Sequence, residues 1–287
     1  MGNYLQLMRA PAVFTALSNI LAAHIILTQG AFLWPELLLL LGATAALYSG
    51  GMVLNDWFDY DTDCQQRPSR PLPSGKVSRQ HALLFGAVLL IAGVSLAALA
   101  GSRSFYIALV IVALVLLYDG LLKRSNTGVF VMAGCRYFNW LLGLSLLPLD
   151  AQSWLLPLPV FIYIVALTTL SRQEESAASP NSIIAVMLTI ALAGLSIIAI
   201  ALSLNHTLDW RAAVVVLATG FLCYRLWPTC RDFSPTRIQQ NMKLLIMTII
   251  PLDALLVLVF GPAWWWALPV LALLPPGKMM ARKMYVT

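Results

Sequence analysis

Residues 54–78 read LNDWFDYDTDCQQRPSRPLPSGKVS, and this stretch guides the interpretation of the whole chain. Asp56, Asp59 and Asp63 are spaced i, i+3, i+7, which places their carboxylates on one face of a helix. Three converging carboxylates repel one another unless a cation neutralises them. Oxygen ligands of this kind suit Mg²⁺, which typically binds one or two carboxylates together with substrate phosphates. We therefore predict a magnesium site at these three aspartates, with Asn55 flanking the same face.

Basic and proline residues follow the acids directly. Arg67, Arg70 and Lys76 lie on the same loop and are predicted to hold phosphate groups through charge-assisted hydrogen bonds. Three prolines within residues 68–73 prevent the preceding helix from continuing through this loop. The alternative is an ordinary charged loop beside a membrane. The helical spacing of the acids favours the ligand-binding interpretation.

The composition places the chain in a membrane. Of its 287 residues, 60% are hydrophobic and 10% are charged, whereas soluble domains average about 25% charged residues. Apolar runs recur at about 20 residues, the length a helix needs to cross a bilayer. The net charge of +6 reflects membrane topology, so nucleic acid is not an expected partner. The four cysteines show neither zinc-type spacing nor a paired pattern, and no structural disulfide is expected.

The apolar runs predict an all-α polytopic membrane protein, a bundle of about nine transmembrane helices. The predicted spans are residues 11–28, 32–54, 82–100, 104–122, 128–147, 154–170, 181–204, 211–227 and 244–260. A tenth apolar run, residues 263–274, is short for a span and is predicted to be re-entrant, interfacial or the second half of a bent helix. Residues 1–287 are therefore expected to form one transmembrane domain, in which 263–287 is a short apolar segment with a basic tail.

Basic residues collect on one side of the predicted membrane. The loops on that side carry Arg9, Arg67, Lys123 and Arg172 among others, while the other side has two arginines. Because cytoplasmic loops are enriched in lysine and arginine, we expect the N-terminus and the motif-bearing loops in the cytoplasm, at the inner membrane of a bacterium. The cations at 278–283 agree with this topology only if the tenth apolar run returns the chain.

Polar side chains inside the spans form a second group of candidates. Arg136 and Asn139 are spaced i, i+3 in the fifth span and share a face. A charge at that depth costs about 3 kcal/mol on insertion scales and is usually retained for function or for a buried pair. We predict that both residues face a central cavity and contact a negative ligand. The alternative is a tie between Arg136 and a loop acid.

Two other polar residues lie within the first and ninth spans. Asn19 is predicted to make an interhelical hydrogen bond, which is the commoner role of a lone polar residue in a membrane helix. Asp253 follows Pro251 closely. It is predicted either to line the cavity or to satisfy backbone groups that the proline frees.

Charged residues also end the fourth and sixth spans on the side of the acidic motif. Lys123 and Arg124 follow the fourth span, where a cation beside an acidic cluster is a candidate phosphate ligand. Arg172, Glu174 and Glu175 follow the sixth span. The two glutamates are predicted to supply a second group of metal ligands, and an ordinary polar loop is the alternative.

Together these residues resemble the UbiA superfamily of intramembrane prenyltransferases. The signature N-D-x-x-D-x-x-x-D of that superfamily matches residues 55–63 at every signature position, and its frequent continuation R-P-x-R-P-x-P-S-G matches residues 67–75. The elements Tyr118…Lys123-Arg124 and Arg136-x-x-Asn139 occur in the expected order. The resemblance extends over nearly the whole chain except its C-terminal segment.

The resemblance implies a central cavity that opens to lipid, Mg²⁺ as cofactor, and prenyl transfer from an isoprenyl diphosphate to a small or lipophilic acceptor that the sequence does not identify. Aromatic rings are expected to stabilise the allylic cation, with Tyr137, Phe138 or Trp140 as candidates. The catalytic residues implied are Asp56, Asp59, Asp63 and Lys123. The implied diphosphate ligands are Asn55, Arg67, Arg70, Lys123, Arg136, Asn139 and Arg172, and the implied metal ligands are Asn55, Asp56, Asp59, Asp63, Glu174 and Glu175.

The chain departs from the superfamily after the sixth helix. Members usually have a D-x-x-x-D pattern there, whereas this chain has Arg-Gln-Glu-Glu at 172–175, a variant similar to the EboC-like branch. A second hypothesis is therefore a UbiA-like protein that binds or helps export a lipid-like or small aromatic precursor without turnover. A secondary transporter is a third hypothesis. It is disfavoured because no internal repeat pairs the two halves and the acids cluster at one membrane face.

Overall fold

The computed structural model describes residues 2–172, 180–204 and 209–281, and within these ranges the secondary structure is helical. In chain order the helices are α1 (Gly2–Leu7), α2 (Ala10–Thr28), α3 (Trp34–Phe58), α4 (Tyr60–Gln66), α5 (Arg79–Ala100), α6 (Ser102–Leu117), α7 (Gly128–Leu144), α8 (Ala151–Leu155), α9 (Leu158–Arg172), α10 (Pro180–Ser203), α11 (Trp210–Leu226), α12 (Pro235–Phe260), α13 (Ala267–Leu271) and α14 (Leu274–Ala281). A π-helical turn, Tyr118–Leu122, extends α6. The predicted all-α fold is confirmed.

The long helices account for the predicted spans. Eight helical segments of the described chain are long and apolar enough to cross a membrane. Helix α7 has 17 residues, about the shortest length that crosses the hydrocarbon core. With α7 included, each predicted span corresponds to a helical segment among the described residues. The protein is therefore an integral, multi-pass membrane protein.

Helix α3 reaches further into the acidic motif than predicted. It ends at Phe58, and Asp59 interrupts the helix with φ −81° and ψ 0° before α4 begins. Helical hydrogen bonds continue across this interruption. The Asp59 amide donates to the carbonyl of Asn55 at 3.0 Å, and the Asp63 amide donates to that of Asp59 at 2.8 Å. The motif therefore keeps its helical spacing although it crosses a break.

Glycines allow α3 and α5 to pack closely near the start of this motif. A Cβ atom on Gly86 would lie 2.8 Å from Cδ2 of Leu54, and one on Gly93 would lie 2.6 Å from Cγ of Leu47. Small residues permit such close backbone approach in membrane helix pairs. The contact fixes the end of α3 from which the acidic side chains project.

A buried polar cluster joins α2, α7 and α12 at the centre of the bundle. Asp253 is fully buried and accepts hydrogen bonds from Ser18 at 2.5 Å, Asn19 at 2.8 Å and Trp140 at 2.9 Å. The interhelical role predicted for Asn19 is therefore confirmed. The prediction for Asp253 is wrong in both forms, because its carboxylate binds side chains of two other helices and does not line the cavity.

The tenth apolar run returns the chain along α2. It is divided into a short 3₁₀ turn, Trp264–Trp266, and helices α13 and α14. Trp266 packs against Gly30, beyond the C-terminal end of α2, where an added Cβ would lie 2.7 Å from the ring. Gly277 lies near Pro11 and Phe14 at the other end of α2. This broken return brings the beginning of the basic tail to the side of the bundle that carries Arg9, while residues 282–287 lie outside the described ranges.

Candidate active site

Two carboxylates of the signature are buried and face one arginine. Asp56 is 6% exposed and Asp63 is 3% exposed. Nη1 of Arg70 lies 3.5 Å from Oδ1 of Asp56 and 2.7 Å from Oδ2 of Asp63. Since one nitrogen approaches both acids, the two carboxylates point toward the same place. The structure thus brings two of the acids together with Arg70 of the proline-rich loop.

Arg9 joins this cluster from the N-terminal segment. It links α1 to α2 with φ 47° and ψ 48°, a left-handed conformation that is uncommon for a residue other than glycine. Its Nη2 lies 3.1 Å from Oδ1 of Asp56. Burial would lower the pKa of Arg9, but the combined attraction of Asp56, Tyr48 and Asp59 outweighs it, and the pKa is raised. Arg9 therefore contributes a positive charge to the cluster.

The third carboxylate, Asp59, pairs with a different cation. Its Oδ2 forms an ion pair with Nζ of Lys123, which follows the π-helical turn Tyr118–Leu122. Such turns are rare in proteins, and those that occur are often found at functional sites. Here the wide turn directs both Tyr118 and Asp119 into the wall of a cavity. Asn55 meets the same turn, since its Nδ2 donates to Oδ1 of Asp119 at 2.7 Å.

Arg172 supports the segment that carries Lys123. Its Nη2 donates to the backbone carbonyls of Lys123 and Ser125 at 2.8 and 2.6 Å. A Cβ atom at Gly128 would lie 2.2 Å from the carbonyl oxygen of Leu122 and 2.8 Å from this nitrogen, so the close approach of the π-helical turn to the start of α7 depends on glycine. The contacts that the structure shows for Arg172 position the backbone, and its predicted contact with a diphosphate stays a prediction.

Three other cations are candidate phosphate ligands. Arg67 ends α4, where its backbone amide donates to the carbonyl of Asp63 at 2.8 Å. Nη2 of Arg124 donates to Oγ1 of Thr62 at 2.9 Å. Lys76 is exposed. Arg67 and Arg124 therefore add positive charge beside α4.

A largely apolar cavity lies next to the acidic motif, and Asp119 in its wall accepts a hydrogen bond from Asn55 of that motif. It lies between α2, α3, α6 and α7, and its polar lining comes from Thr44, Tyr48, Tyr118, Asp119, Arg136 and Asn139. A second cavity, of about 380 Å³, lies among α9–α13 and is lined by no charged side chain. The two cavities share no lining residue. Only the first adjoins the acidic motif.

Arg136 and Asn139 both line the first cavity, as predicted. Nη2 of Arg136 donates to Oγ1 of Thr15 at 2.8 Å, and Nη1 donates to Oδ1 of Asn19 at 3.3 Å. The guanidinium carbon also lies 4.9 Å from the ring centre of Tyr48. The alternative was an ion pair between Arg136 and a loop acid, and the described residues form no such pair. The arginine is instead fixed by neutral side chains in the cavity wall.

The aromatic residues of the cavity differ from those predicted. Tyr48 and Tyr118 line it, whereas Tyr137, Phe138 and Trp140 do not. Trp140 is fully buried and donates to Asp253 instead. Aromatic spacing on one helix could not show which rings point inward, because that depends on how α7 is rotated against its neighbours.

The oxygen ligands of the cluster fit Mg²⁺. Within the described ranges, no three histidine, cysteine, aspartate or glutamate side chains converge to form a complete metal cage. Magnesium does not require one, because it typically uses one or two carboxylates and completes its shell with water and substrate phosphates. Asp56 and Asp63 point toward the same place and can therefore supply the two carboxylates. Glu174 and Glu175 lie outside the described residues.

Two residues of this site were missed by the sequence reasoning. Arg9 stands directly before the first span, on the side of the predicted membrane that carries most of the basic residues. Asp119 follows Tyr118 at the end of an apolar run, where an acid is unusual. A systematic search for charges at the ends of the spans on the basic side would have included both. Their partners, however, are visible only in the tertiary structure.

Comparison with known proteins agrees with this architecture. A model of the UbiA prenyltransferase family matches residues 16–249. A digeranylgeranylglyceryl phosphate synthase of Methanococcoides burtonii is 36% identical over 152 residues, which are 48% of this chain and 53% of that protein. A digeranylgeranylglyceryl phosphate synthase of Methanothrix thermoacetophila is 27% identical over 234 residues, 74% of this chain and 84% of that protein. The matched region therefore spans about half of the first relative and most of the second.

A solved structure shows the same fold. The structure of a UbiA homolog from Archaeoglobus fulgidus, bound to GPP and Mg²⁺, has a TM-score of 0.62 at 14% identity. The alignment covers 89% of this chain and 99% of that chain. At this level of identity the likeness establishes the arrangement of helices.

Proposed function

Because this chain belongs to the UbiA prenyltransferase family, we propose that it transfers a prenyl group from an isoprenyl diphosphate to a small or lipophilic acceptor within the membrane, with Mg²⁺ as cofactor. One observation carries the proposal. The three signature carboxylates are each paired with a cation, and Asn55 of the same motif donates a hydrogen bond to Asp119 in the wall of a largely apolar cavity between membrane helices. This combination suits a molecule with a charged diphosphate at one end and an apolar chain at the other.

The acidic cluster is the proposed metal site. Asp56, Asp59 and Asp63 would hold Mg²⁺ with their carboxylates, and Asn55 would assist with its side-chain oxygen. When bound, Mg²⁺ supplies positive charge that stabilises the diphosphate as a leaving group. The glutamates at 174 and 175 stay proposed ligands of a second metal.

The surrounding cations are the proposed diphosphate ligands. Lys123, Arg67, Arg70 and Arg9 would donate hydrogen bonds to its oxygens, and Arg172 would keep the backbone of Lys123 in place. As the carbon–oxygen bond of the allylic diphosphate breaks, negative charge grows on the leaving oxygen. Fixed cations that meet this charge commonly provide the largest single part of the rate acceleration.

The cavity is the proposed place of the prenyl chain and of the acceptor. Its apolar wall excludes water, which would otherwise capture the allylic cation. Tyr48 and Tyr118 present aromatic groups to that cation. Arg136 and Asn139 would contact a polar or negative group of the acceptor. The acceptor forms the new bond to the allylic carbon and loses a proton, while the diphosphate leaves.

The direct test is release of diphosphate by the purified protein in lipid nanodiscs. Radiolabelled geranyl, farnesyl and geranylgeranyl diphosphates are supplied with Mg²⁺ or with EDTA, together with extracted lipids as the acceptor. A glycerol phosphate lipid carrying one geranylgeranyl group is a reasonable first defined acceptor, given the names of the relatives. We expect Mg²⁺-dependent release and a prenylated product that mass spectrometry can identify.

Two outcomes would count against this function. Tight binding of the diphosphate without release would support the alternative in which the protein binds or helps export a precursor. Release that is unchanged by EDTA would remove the proposed role of the metal. Denatured protein in identical nanodiscs is the control for spontaneous solvolysis.

We also propose that the N-terminus and the active-site loops face the cytoplasm. The uneven distribution of basic residues and the return of the C-terminal segment along α2 support this orientation. Cys64 is exposed on the same side as the acidic motif. In intact cells a membrane-impermeant maleimide should label Cys64 only after permeabilisation. Labelling of Cys64 before permeabilisation would reverse the proposed orientation.

Three narrower assignments stay predictions. We propose that residues 1–287 form one domain, which the packing of α14 against α2 supports. The inner membrane of a bacterium is the proposed location. The third assignment is membership of the EboC-like branch, which the similarity of residues 172–175 supports. A comparison of the lipids in cells with and without the gene would test it.

A further inference from the structure

Asp119 occupies an unusual position between the metal-binding motif and the cavity. It belongs to the π-helical turn after α6, is half-buried, and lines the cavity. Its Oδ1 accepts a hydrogen bond of 2.7 Å from Nδ2 of Asn55 on α3. The two residues are 64 positions apart in sequence, so the contact depends on how α3 packs against the end of α6.

Lys123 and Arg9 lie near enough to attract Asp119, but neither pairs with it directly. In the described part of the chain, no lysine or arginine forms an ion pair with Asp119. Lys123 lies in the next turn but pairs with Asp59. Arg136, on the same cavity wall, is held by Thr15 and Asn19. The hydrogen bond from Asn55 is therefore the direct polar contact that the structure shows for the Asp119 side chain.

The chemistry of this hydrogen bond determines how the amide of Asn55 is oriented. A side-chain amide has a donating nitrogen and an accepting oxygen of similar size, and it can turn to exchange them. An ionised carboxylate only accepts hydrogen bonds. Beside Asp119, the amide must therefore present Nδ2 to the acid. Its Oδ1 is then directed away from Asp119.

Orientation of this amide matters because a metal ion binds the oxygen and not the nitrogen. Asn55 directly precedes Asp56, and both are buried at the end of α3. Residues behind metal ligands commonly fix the ligand's orientation, and their loss typically weakens metal binding about 10- to 100-fold. A neutral residue in place of Asp119 would allow the amide to turn.

We propose that Asp119 is a positioning residue that fixes the side chain of Asn55 with its oxygen available to the metal. The inference rests on the proposed function, because it assumes that Asn55 and the signature aspartates bind Mg²⁺. It extends the site to the π-helical turn, and it assigns to Asp119 a role that acts through Asn55 and not through contact with the substrate.

The test is a titration with Mn²⁺ as a spectroscopic substitute for Mg²⁺. Electron paramagnetic resonance measures free and bound Mn²⁺ in the presence of inorganic pyrophosphate, so the readout does not depend on turnover. We expect Asp119→Asn, which keeps the size of the side chain, to weaken Mn²⁺ binding by about 10- to 100-fold. Asp119→Glu retains an accepting carboxylate and should recover part of the affinity.

A double-variant cycle separates positioning from direct binding. If Asp119 acts through Asn55, Asp119→Asn should have no further effect in a protein that already carries Asn55→Ala. An additional loss in the double variant would show that Asp119 binds the metal itself and would overturn the proposal. Wild-type affinity in Asp119→Asn would overturn it as well.

Two further variants distinguish this inference from the proposed function. Asp61→Asn removes one charge at an exposed position of the same motif and should leave Mn²⁺ binding unchanged. Asp56→Ala should abolish binding if the metal site is correct. Unchanged binding in Asp56→Ala would refute the metal site itself, whereas loss in Asp56→Ala with none in Asp119→Asn would refute only the role of Asp119.

Discussion

Asp56→Ala and Asp59→Ala are each expected to abolish prenyl transfer. Each substitution removes a carboxylate that the proposed metal needs, and without the metal the leaving diphosphate must carry its charge unaided. Loss of a single neutral group that stabilises such charge costs about 10²- to 10³-fold in rate. Loss of a charged metal ligand should exceed that range. Single-turnover release of labelled diphosphate measures the effect directly.

The surrounding cations make this expectation specific. Asp56 lies 3.1 Å from Arg9 and 3.5 Å from Arg70, and Asp59 pairs with Lys123. Each variant thus loses a ligand and frees a cation. The freed cation cannot replace the metal. It would bind the diphosphate, but it would not supply the positive charge of the metal ion at the position where the lost carboxylate held that ion.

Asp61→Ala is the matched control. Asp61 lies in the same segment and carries the same charge, but its side chain is exposed and belongs to neither the cluster nor the cavity. Its substitution should leave the rate of diphosphate release unchanged. Full activity in Asp56→Ala or Asp59→Ala would eliminate the proposed role of these acids.

Asp253→Ala is expected to cause the largest loss of stability. Asp253 is fully buried and accepts hydrogen bonds from three donors, on Ser18, Asn19 and Trp140. Its removal would leave the donors on Asn19 and Trp140 without this acceptor, at about 1–3 kcal/mol for each buried group, whereas the Ser18 hydroxyl would keep the carbonyl of Thr15. Because the donors lie on α2 and α7, the variant should loosen the contact between α12 and both helices.

Thermal unfolding in detergent micelles measures this loss. We expect a clearly lower midpoint and faster aggregation for Asp253→Ala than for the wild type. Asp253→Asn retains one accepting oxygen and a similar volume, so it should be less destabilised. Asp61→Ala, which removes an exposed acid of α4, provides the control for a general effect of charge. An unchanged midpoint in Asp253→Ala would show that the cluster does not stabilise the bundle.

The acidic motif shows what local spacing can predict. Asp56 and Asp63 lie on nearly one helical face because hydrogen bonds continue across the interruption at Asp59. That relation depends only on residues within two turns, so the sequence contains it. Which cation each acid meets was not predictable in this way, since Arg9 is 47 residues and Lys123 is 64 residues away.

Residues inside the spans show the limit of periodicity more clearly. Spacing placed Arg136 and Asn139 on one face, and the structure confirms that both line the cavity. It could not show that Trp140, the neighbour of Asn139, turns to Asp253, or that Asp253 avoids the cavity. These facts depend on the rotation of α7 and α12, which is set by packing against several helices at once.

The sequence by itself determined the membrane location, the succession of helical spans, the family and the chemical character of the motif. These properties follow from hydrophobicity and short-range spacing, which are local along the chain. The tertiary structure decided the pairing of each carboxylate with its cation, the hydrogen bond between Asn55 and Asp119, the aromatic rings of the cavity and the return of the C-terminal segment along α2. Each of these requires contacts between residues far apart in sequence, and their free energy arises only when the helices pack together.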